Sequence, residues 1–207
     1  MRSDQPIPGN PWPHDMLISV DEPYALTYLL FVRHGWRLDI TELPDVDPVP
    51  ATGTSHRPPA VDPTDAVAQW RSEWSRALTQ FEPLDRTVRE PDEETARLLR
   101  ELPDEHLLEA FSTMPSTYWA DGTDRDAFNA WSMSLHDDHS LPLAEHPERR
   151  CLDALVPAWR TGLTTVIQLP YAGYFAERVN AATLVVSRVT RHDPDQYRHA
   201  LATPSPG

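Results

Sequence analysis

In the middle of the chain, apolar residues recur every three or four positions, which predicts amphipathic helices. The clearest case begins at Asp62-Pro63 and has six apolar residues on one face: Val67, Trp70, Trp74, Ala77, Leu78 and Phe81. Acidic residues or prolines mark the starts of the other predicted helices, which cover 24–34 or begin near Pro91, Pro103, Asp124, Pro147 and Pro194. Gly35 and Gly162 are expected to end the helices before them. Pro157 lies inside the helix from Pro147 and predicts a kink or an early end.

Beyond residue 162 the pattern changes to short runs of β-branched and aromatic residues, which predict strands. Turn-like residues separate three such runs, at 163–169, 174–179 and 183–189. We expect these runs to form a three-stranded antiparallel meander. A short apolar run at 16–20 predicts one further strand near the N-terminus. The predicted class is therefore α+β, with a helical middle region packed against a small C-terminal sheet.

The length of 207 residues suits a single domain, which we place at 16–203. Residues 1–15 contain four prolines and are predicted to be an extended N-terminal arm. Residues 43–63 hold six prolines and few hydrophobic residues, which predicts a long loop or a mobile linker.

Composition narrows the classes of function. The formal charge of −14 argues against binding to nucleic acids or anionic membranes, but it permits a protein partner or self-association. The 18 basic residues are all arginine, so chemistry that needs a lysine Schiff base is excluded. The seven glycines form no nucleotide-binding loop, and no cofactor is expected apart from the zinc considered below. No signal peptide or membrane-spanning run is evident, which predicts a cytoplasmic location.

Arg33-His34-Gly35 follows an apolar run, Tyr28 to Val32, and resembles the opening motif of the histidine phosphatase superfamily. The segment from Ser72 to Leu78, which contains Arg76, is similar to a second phosphate-binding segment of that family. The resemblance implies that a strand delivers His34 as the nucleophile, while Arg33 and Arg76 hold the phosphoryl oxygens. The alternative is a helix over 24–34 that ends with Arg33 and His34, where positive charge suits the helix dipole.

His136-Asp-Asp-His139, with His146 and Cys151 further along, forms a second candidate site. His-x-x-His can place two imidazoles on one side of a helical turn, and His146 or the thiol could complete a tetrahedral zinc site. The alternative is a helix end that runs into a polar loop.

Three tryptophans, Trp12, Trp36 and Trp119, are flanked by proline, glycine or polar residues. If exposed, they could anchor a partner; the alternative is that they pack on the body of the domain. Since no complete catalytic set is evident, the leading hypothesis is a non-enzymatic, acidic interaction or regulatory module. The alternative is a hydrolase that uses either His34 or the histidine-bound zinc.

Overall fold

The computed structural model describes residues 10–81, 116–136 and 141–205. Four strands form one sheet: β1 (Ser19–Asp21), β2 (Thr165–Leu169), β3 (Ala176–Arg178) and β4 (Thr183–Ser187). The helices of the described part are α1 (Tyr24–Gly35), α2 (Pro63–Thr79), α3 (Arg125–Ser134), α4 (Pro147–Arg150), α5 (Leu152–Arg160), α6 (Arg188–His192) and α7 (Pro194–Leu201), with 3-10 turns at Thr117–Gly122 and Leu143–Glu145. The α+β class is confirmed. The helices predicted from Pro91 and Pro103 lie outside the described residues.

Aspartate caps start three of these helices where the sequence predicts them. Asp62 accepts hydrogen bonds from the amides of the first turn of α2, Asp124 does so for α3, and Asp193 does so for α7. Each carboxylate pairs with amide N–H groups that have no partner within the helix, which is why the sequence signal is reliable at these positions.

The strand order β1-β2-β4-β3 corrects the predicted meander. β4 lies between β2 and β3, pairs in parallel with β2 and is antiparallel only to β3, while β1 is parallel to β2. All five residues of β4 are buried, so this strand takes an interior position in the sheet. β3 reads Ala-Glu-Arg, and its polar Glu177 suits an edge position.

Apolar residues cover both faces of the sheet. On one face Ile167, Leu169 and Val185 pack in a cluster with α1, α2 and α3. On the other face Val166, Leu184 and Val186 pack in a cluster with α5 and α7. The alternation of side chains along β2 and β4 therefore contributes to two cores, one on each face of the sheet. Among the described helices, none is both long and apolar enough to cross a membrane.

The end of α1 differs from the prediction. Gly35 is still helical, Trp36 is the C-cap, and Arg37 takes the left-handed conformation, with φ of 52°, that glycine usually supplies. The amide of Leu38 bonds the Arg33 carbonyl, which completes a Schellman motif. Gly35 is needed for another reason, since a Cβ there would lie 2.9 Å from Ser55 Cβ.

The predicted helix from Pro147 is interrupted at Cys151, whose φ and ψ of −118° and 26° are not helical. The helix then continues through Pro157 to Arg160, so the early end predicted at Pro157 is wrong. The Pro157 ring lies on the exposed side of α5, and Pro157 supplies no N–H donor to the helix. Gly162, with φ of 109°, follows the helix end as predicted.

The proline-rich segment 43–63 contacts both the sheet and α3. The amide of Asp47 bonds the Pro170 carbonyl, and the amide of Ala172 bonds the Asp45 carbonyl. Trp131 donates to the Pro48 carbonyl at 2.7 Å. The segment is thus a loop packed on the domain near the carboxyl end of β2.

Candidate functional site

The histidine-phosphatase motif lies at the end of a helix. Residues 28–33 belong to α1, so the strand that the resemblance implies is wrong, and the helical alternative is confirmed. The Arg33 guanidinium donates to the carbonyls of Leu43 (3.0 Å) and Pro44 (2.6 Å), while His34 is exposed. Arg33 and His34 line one cavity of about 430 Å³, but Arg76 is not among its described lining residues. Arg76 instead lies on α2, 3.9 Å from Glu73.

Two of the three candidate binding tryptophans are buried. Trp36 is 4% exposed and donates to the Gly122 carbonyl at 2.8 Å, and Trp119 is fully buried beside it. These two therefore belong to the core and are not surface anchors. Trp12 is half-buried; it donates to the Met16 carbonyl, and the Arg149 guanidinium lies 4.8 Å from its ring centre.

The candidate zinc ligands are only partly described, because His139 lies outside the described residues. His146 contacts the Leu141 carbonyl at 3.2 Å, and His136 contacts the Ser132 carbonyl at 3.0 Å. Within 10–81, 116–136 and 141–205 no group of three His, Cys, Asp or Glu residues is arranged to hold a metal. Cys151 is buried, and burial raises the pKa of its thiol, which makes it a poor nucleophile.

One cavity, of about 180 Å³, lies where the parallel strands end, and we call it the carboxyl-edge cavity. Its polar lining residues are Glu22, Thr27, Ser132, His136, Gln168 and Arg188. Its other lining residues are Tyr24, Leu135, Leu169 and Pro170. In sheets with parallel strands, ligands typically bind outside the carboxyl ends of the strands. The strand directions alone therefore make this cavity the leading candidate site.

Three strands each bring a polar group to this cavity. Glu22 follows the last residue of β1, Gln168 lies at the end of β2, and Arg188 follows the last residue of β4. Because β1 and β4 lie on either side of β2 and both run parallel to it, the carboxyl ends of the three strands meet at the same edge of the sheet. His136 and Ser132 reach the cavity from the end of α3.

A hydrogen-bond network runs from the exposed Glu22 to the buried Gln168 and Arg191. Gln168 Nε2 donates to Glu22 Oε1 at 2.6 Å, and Gln168 Oε1 accepts from Arg191 Nη1 at 2.9 Å. Arg191 in turn donates to both oxygens of Glu148, at 2.8 and 3.0 Å. Since the amide of Gln168 uses its donor on one side and its acceptor on the other, its orientation is fixed. This amide holds one oxygen of the exposed Glu22 carboxylate.

The network ends at Tyr197, which is fully buried and whose hydroxyl donates to Glu148 Oε1 at 3.3 Å. Burial, together with the neighbouring Glu148, raises the pKa of Tyr197 well above its usual value, so the phenol keeps its proton. Glu148 thus receives donors from both sides in the interior. This is the arrangement that a buried carboxylate needs.

The cavity is lined by groups of opposite charge. Glu22 supplies a carboxylate whose Oε2 accepts no hydrogen bond from a described residue, and Arg188 supplies a guanidinium. The first turn of α1 has no side-chain cap, and Tyr24 from that turn lines the cavity. Uncapped N–H groups at a helix start favour a negative group nearby. His136 Nδ1 faces the Ser132 carbonyl, so we assign its proton to Nδ1, which leaves Nε2 as an acceptor.

Sequence reasoning identified only His136 among these residues. Glu22, Gln168 and Arg188 lie far apart in the chain, and nothing in their spacing connects them. One local signal was available, because Gln168 interrupts the otherwise apolar run Val166-Ile167-Gln168-Leu169. A polar residue in a buried strand needs a partner, which marks it as part of a network.

Comparison with protein-family models, with curated proteins and with solved structures finds no match, so function has to be inferred from the chain's own residues.

Proposed function

We propose that the protein binds a small zwitterionic molecule, of the size of a free amino acid, in the carboxyl-edge cavity. The proposal is carried by the convergence of opposite charges, since Glu22 after β1 and Arg188 after β4 line one cavity. An ammonium group would bind at Glu22, and a carboxylate would bind at Arg188. The volume of about 180 Å³ is below the 300–1,000 Å³ usual for larger ligands, which favours a small molecule.

The positioned carboxylate is the group that selects the ligand. Gln168 holds one oxygen of Glu22, and the exposed Tyr24 ring lies at the start of the adjoining helix. A cation near Glu22 would also find the aromatic face of Tyr24, which adds to the attraction. A ligand with two negative groups would meet repulsion from Glu22, so the site discriminates against dicarboxylates.

Isothermal titration calorimetry with the common free amino acids tests the proposal. For each amino acid that binds, the matched amine without a carboxylate and the matched acid without an amine are titrated. We expect both analogues, and the Glu22→Gln variant, to bind at least about tenfold more weakly, because each loses one charged hydrogen bond. Glu177→Gln, an exposed carboxylate on β3, is the matched control and should bind normally. Equal binding by the analogues, or no binding of any amino acid, would contradict the proposal.

The interaction module proposed from the sequence is a second candidate function. It now depends on Trp12, the one candidate tryptophan that is not buried. Native mass spectrometry of protein purified from its host tests it. The hypothesis predicts the added mass of a partner or a second copy, lost in Trp12→Ala. A bare 23.5 kDa monomer in the unmodified protein would contradict it.

A further inference from the structure

Arg178 is a largely buried cation that has no acidic partner among the described residues. It is 7% exposed, and among the described residues its only hydrogen-bond acceptors are the carbonyls of Asn180 and Ala181, to which Nε and Nη2 donate. No carboxylate of the described chain lies within ion-pair distance of its guanidinium. Burial lowers the pKa of Arg178, and within 10–81, 116–136 and 141–205 no negative charge opposes this effect.

The other buried arginine among the described residues, Arg191, has the carboxylate partner that Arg178 lacks there. Arg191 is 8% exposed and is paired with both oxygens of Glu148. The chain has 32 acidic residues against 18 arginines, so carboxylates are plentiful. A buried charge without a counterion is strongly unfavourable. Since no described carboxylate balances Arg178, an anion that enters the neighbouring cavity from solvent would meet an uncompensated guanidinium.

Arg178 also lines a cavity of about 350 Å³ between α5, α7 and the segment that follows α7. Most of the lining is apolar or small, and it includes Ala154, Pro157 and Leu201. The Nη1 group of Arg178 donates to no described residue, and it is not enclosed in the protein interior. The size and lining match ordinary ligand sites, which are mostly apolar with a few polar groups that fix orientation.

We propose that this cavity binds a small organic monocarboxylate, whose carboxylate accepts hydrogen bonds from Arg178 and whose apolar part contacts Ala154, Pro157 and Leu201. A single guanidinium suits a single carboxylate. The end of α7 at Leu201 adds the negative end of a helix dipole, which opposes a doubly charged phosphate more strongly than a singly charged carboxylate. No described residue lines both this cavity and the carboxyl-edge cavity, so the two sites are separate.

The test is a titration of ¹⁵N-labelled protein with hexanoate and with benzoate, at constant ionic strength, followed by amide NMR. Inorganic phosphate and chloride are the comparison anions. We expect saturable shifts at Thr161, Arg178 and Leu201, with a dissociation constant on the order of 10 mM, the value that a typical ligand efficiency gives for eight or nine heavy atoms. Phosphate and chloride should give smaller shifts without saturation.

Three variants make the test specific. Arg178→Met keeps the length of the side chain, removes the charge and should weaken binding at least about tenfold. Arg160→Met removes an exposed arginine at the end of α5 and should bind as the unmodified protein does. Arg178→Lys keeps the positive charge and should bind the carboxylates, but more weakly than the unmodified protein does. This variant tests the proposal if Arg178→Met does not fold.

Equal binding by Arg178→Met and the unmodified protein would overturn the proposal, as would the absence of saturable shifts with both carboxylates. Tighter binding of phosphate than of hexanoate or benzoate would also overturn the assignment of a monocarboxylate.

Discussion

Gln168 and Glu22 are 146 positions apart in the chain, yet Gln168 Nε2 donates to Glu22 Oε1 at 2.6 Å. The contact exists because β1 and β2 are parallel neighbours, which brings the residues at their carboxyl ends together. It joins the surface of the carboxyl-edge cavity to the buried pair of Arg191 and Glu148. Binding at the cavity and stability of the interior are therefore expected to depend on the same network.

The first prediction concerns the buried ion pair. Glu148→Gln removes the negative charge that balances the buried Arg191 guanidinium. We therefore expect the free energy of unfolding to fall by about 3 kcal/mol. Urea denaturation followed by tryptophan fluorescence measures this. Asp153→Asn is the control, because the pair of Asp153 with Arg198 is largely exposed and its loss should cost less than about 1 kcal/mol. Equal effects of the two substitutions would contradict the account.

The second prediction concerns the strained residue after α1. Arg37 has φ of 52°, a conformation that costs an L-residue about 1–2 kcal/mol, whereas glycine adopts it freely. Arg37→Gly should stabilise the protein by roughly 0.5 kcal/mol, once the greater freedom of glycine in the unfolded chain is subtracted. Thermal denaturation measures the change. Arg37→Ala keeps the strain and should give no gain, so a gain equal to that of glycine would refute the explanation.

The third prediction concerns Gly122, whose backbone lies against the His56 backbone and the Trp36 ring. A Cβ there would lie 2.4 Å from the His56 carbonyl oxygen and 2.8 Å from Trp36 Cζ2. Both neighbours are tied to the Gly122 carbonyl, which accepts from the His56 amide and the Trp36 indole. Gly122→Ala should therefore destabilise the protein by about 1–3 kcal/mol, measured by urea denaturation. Unchanged stability would show that the loop and Trp36 can move apart freely.

The fourth prediction concerns acid stability. Asp124 accepts from the amides of Ala127 and Thr54 and from the Thr54 hydroxyl, and these hydrogen bonds lower the pKa of its carboxyl group. A carboxyl whose folded pKa lies below its unfolded value, near 3.9, stabilises the protein above that pH. The contribution is lost as the pH falls through the folded pKa.

Urea midpoints of the unmodified protein and of Asp124→Asn, measured from pH 7 to pH 2, test this. The variant should be less stable at neutral pH, and the difference should shrink below about pH 4. Asp126→Asn, from the same helical turn, leaves the bonds of Asp124 intact and should preserve the acid-dependent loss. A difference between Asp124→Asn and the unmodified protein that stays constant down to pH 2 would contradict the assignment.

Much of the helical structure could be predicted because its signals are local. Asp62, Asp124 and Asp193 start their helices with side-chain caps, and cap chemistry involves only neighbouring residues. The prediction that Gly35 ends α1 is wrong by one residue, because tertiary packing places Gly35 inside the helix, against Ser55. Local rules contain no information about such a distant contact.

Strand order and the site could not be predicted for the same reason. The runs that form β2, β3 and β4 follow one another in sequence, which favours a meander, but the fully buried β4 takes the place between the other two. Glu22, Gln168 and Arg188 meet only because of that order. His136 was recognised from its residue type, while its place beside these groups depends on the fold.

The most direct test of the central claim is an amide NMR titration of the unmodified protein and of Glu22→Gln with the amino acid that binds most tightly in calorimetry. We predict saturable shifts that centre on Tyr24, Leu169 and Arg188 in the unmodified protein and are lost in Glu22→Gln. Shifts centred elsewhere, or shifts that persist unchanged in Glu22→Gln, would contradict the carboxyl-edge cavity as the binding site.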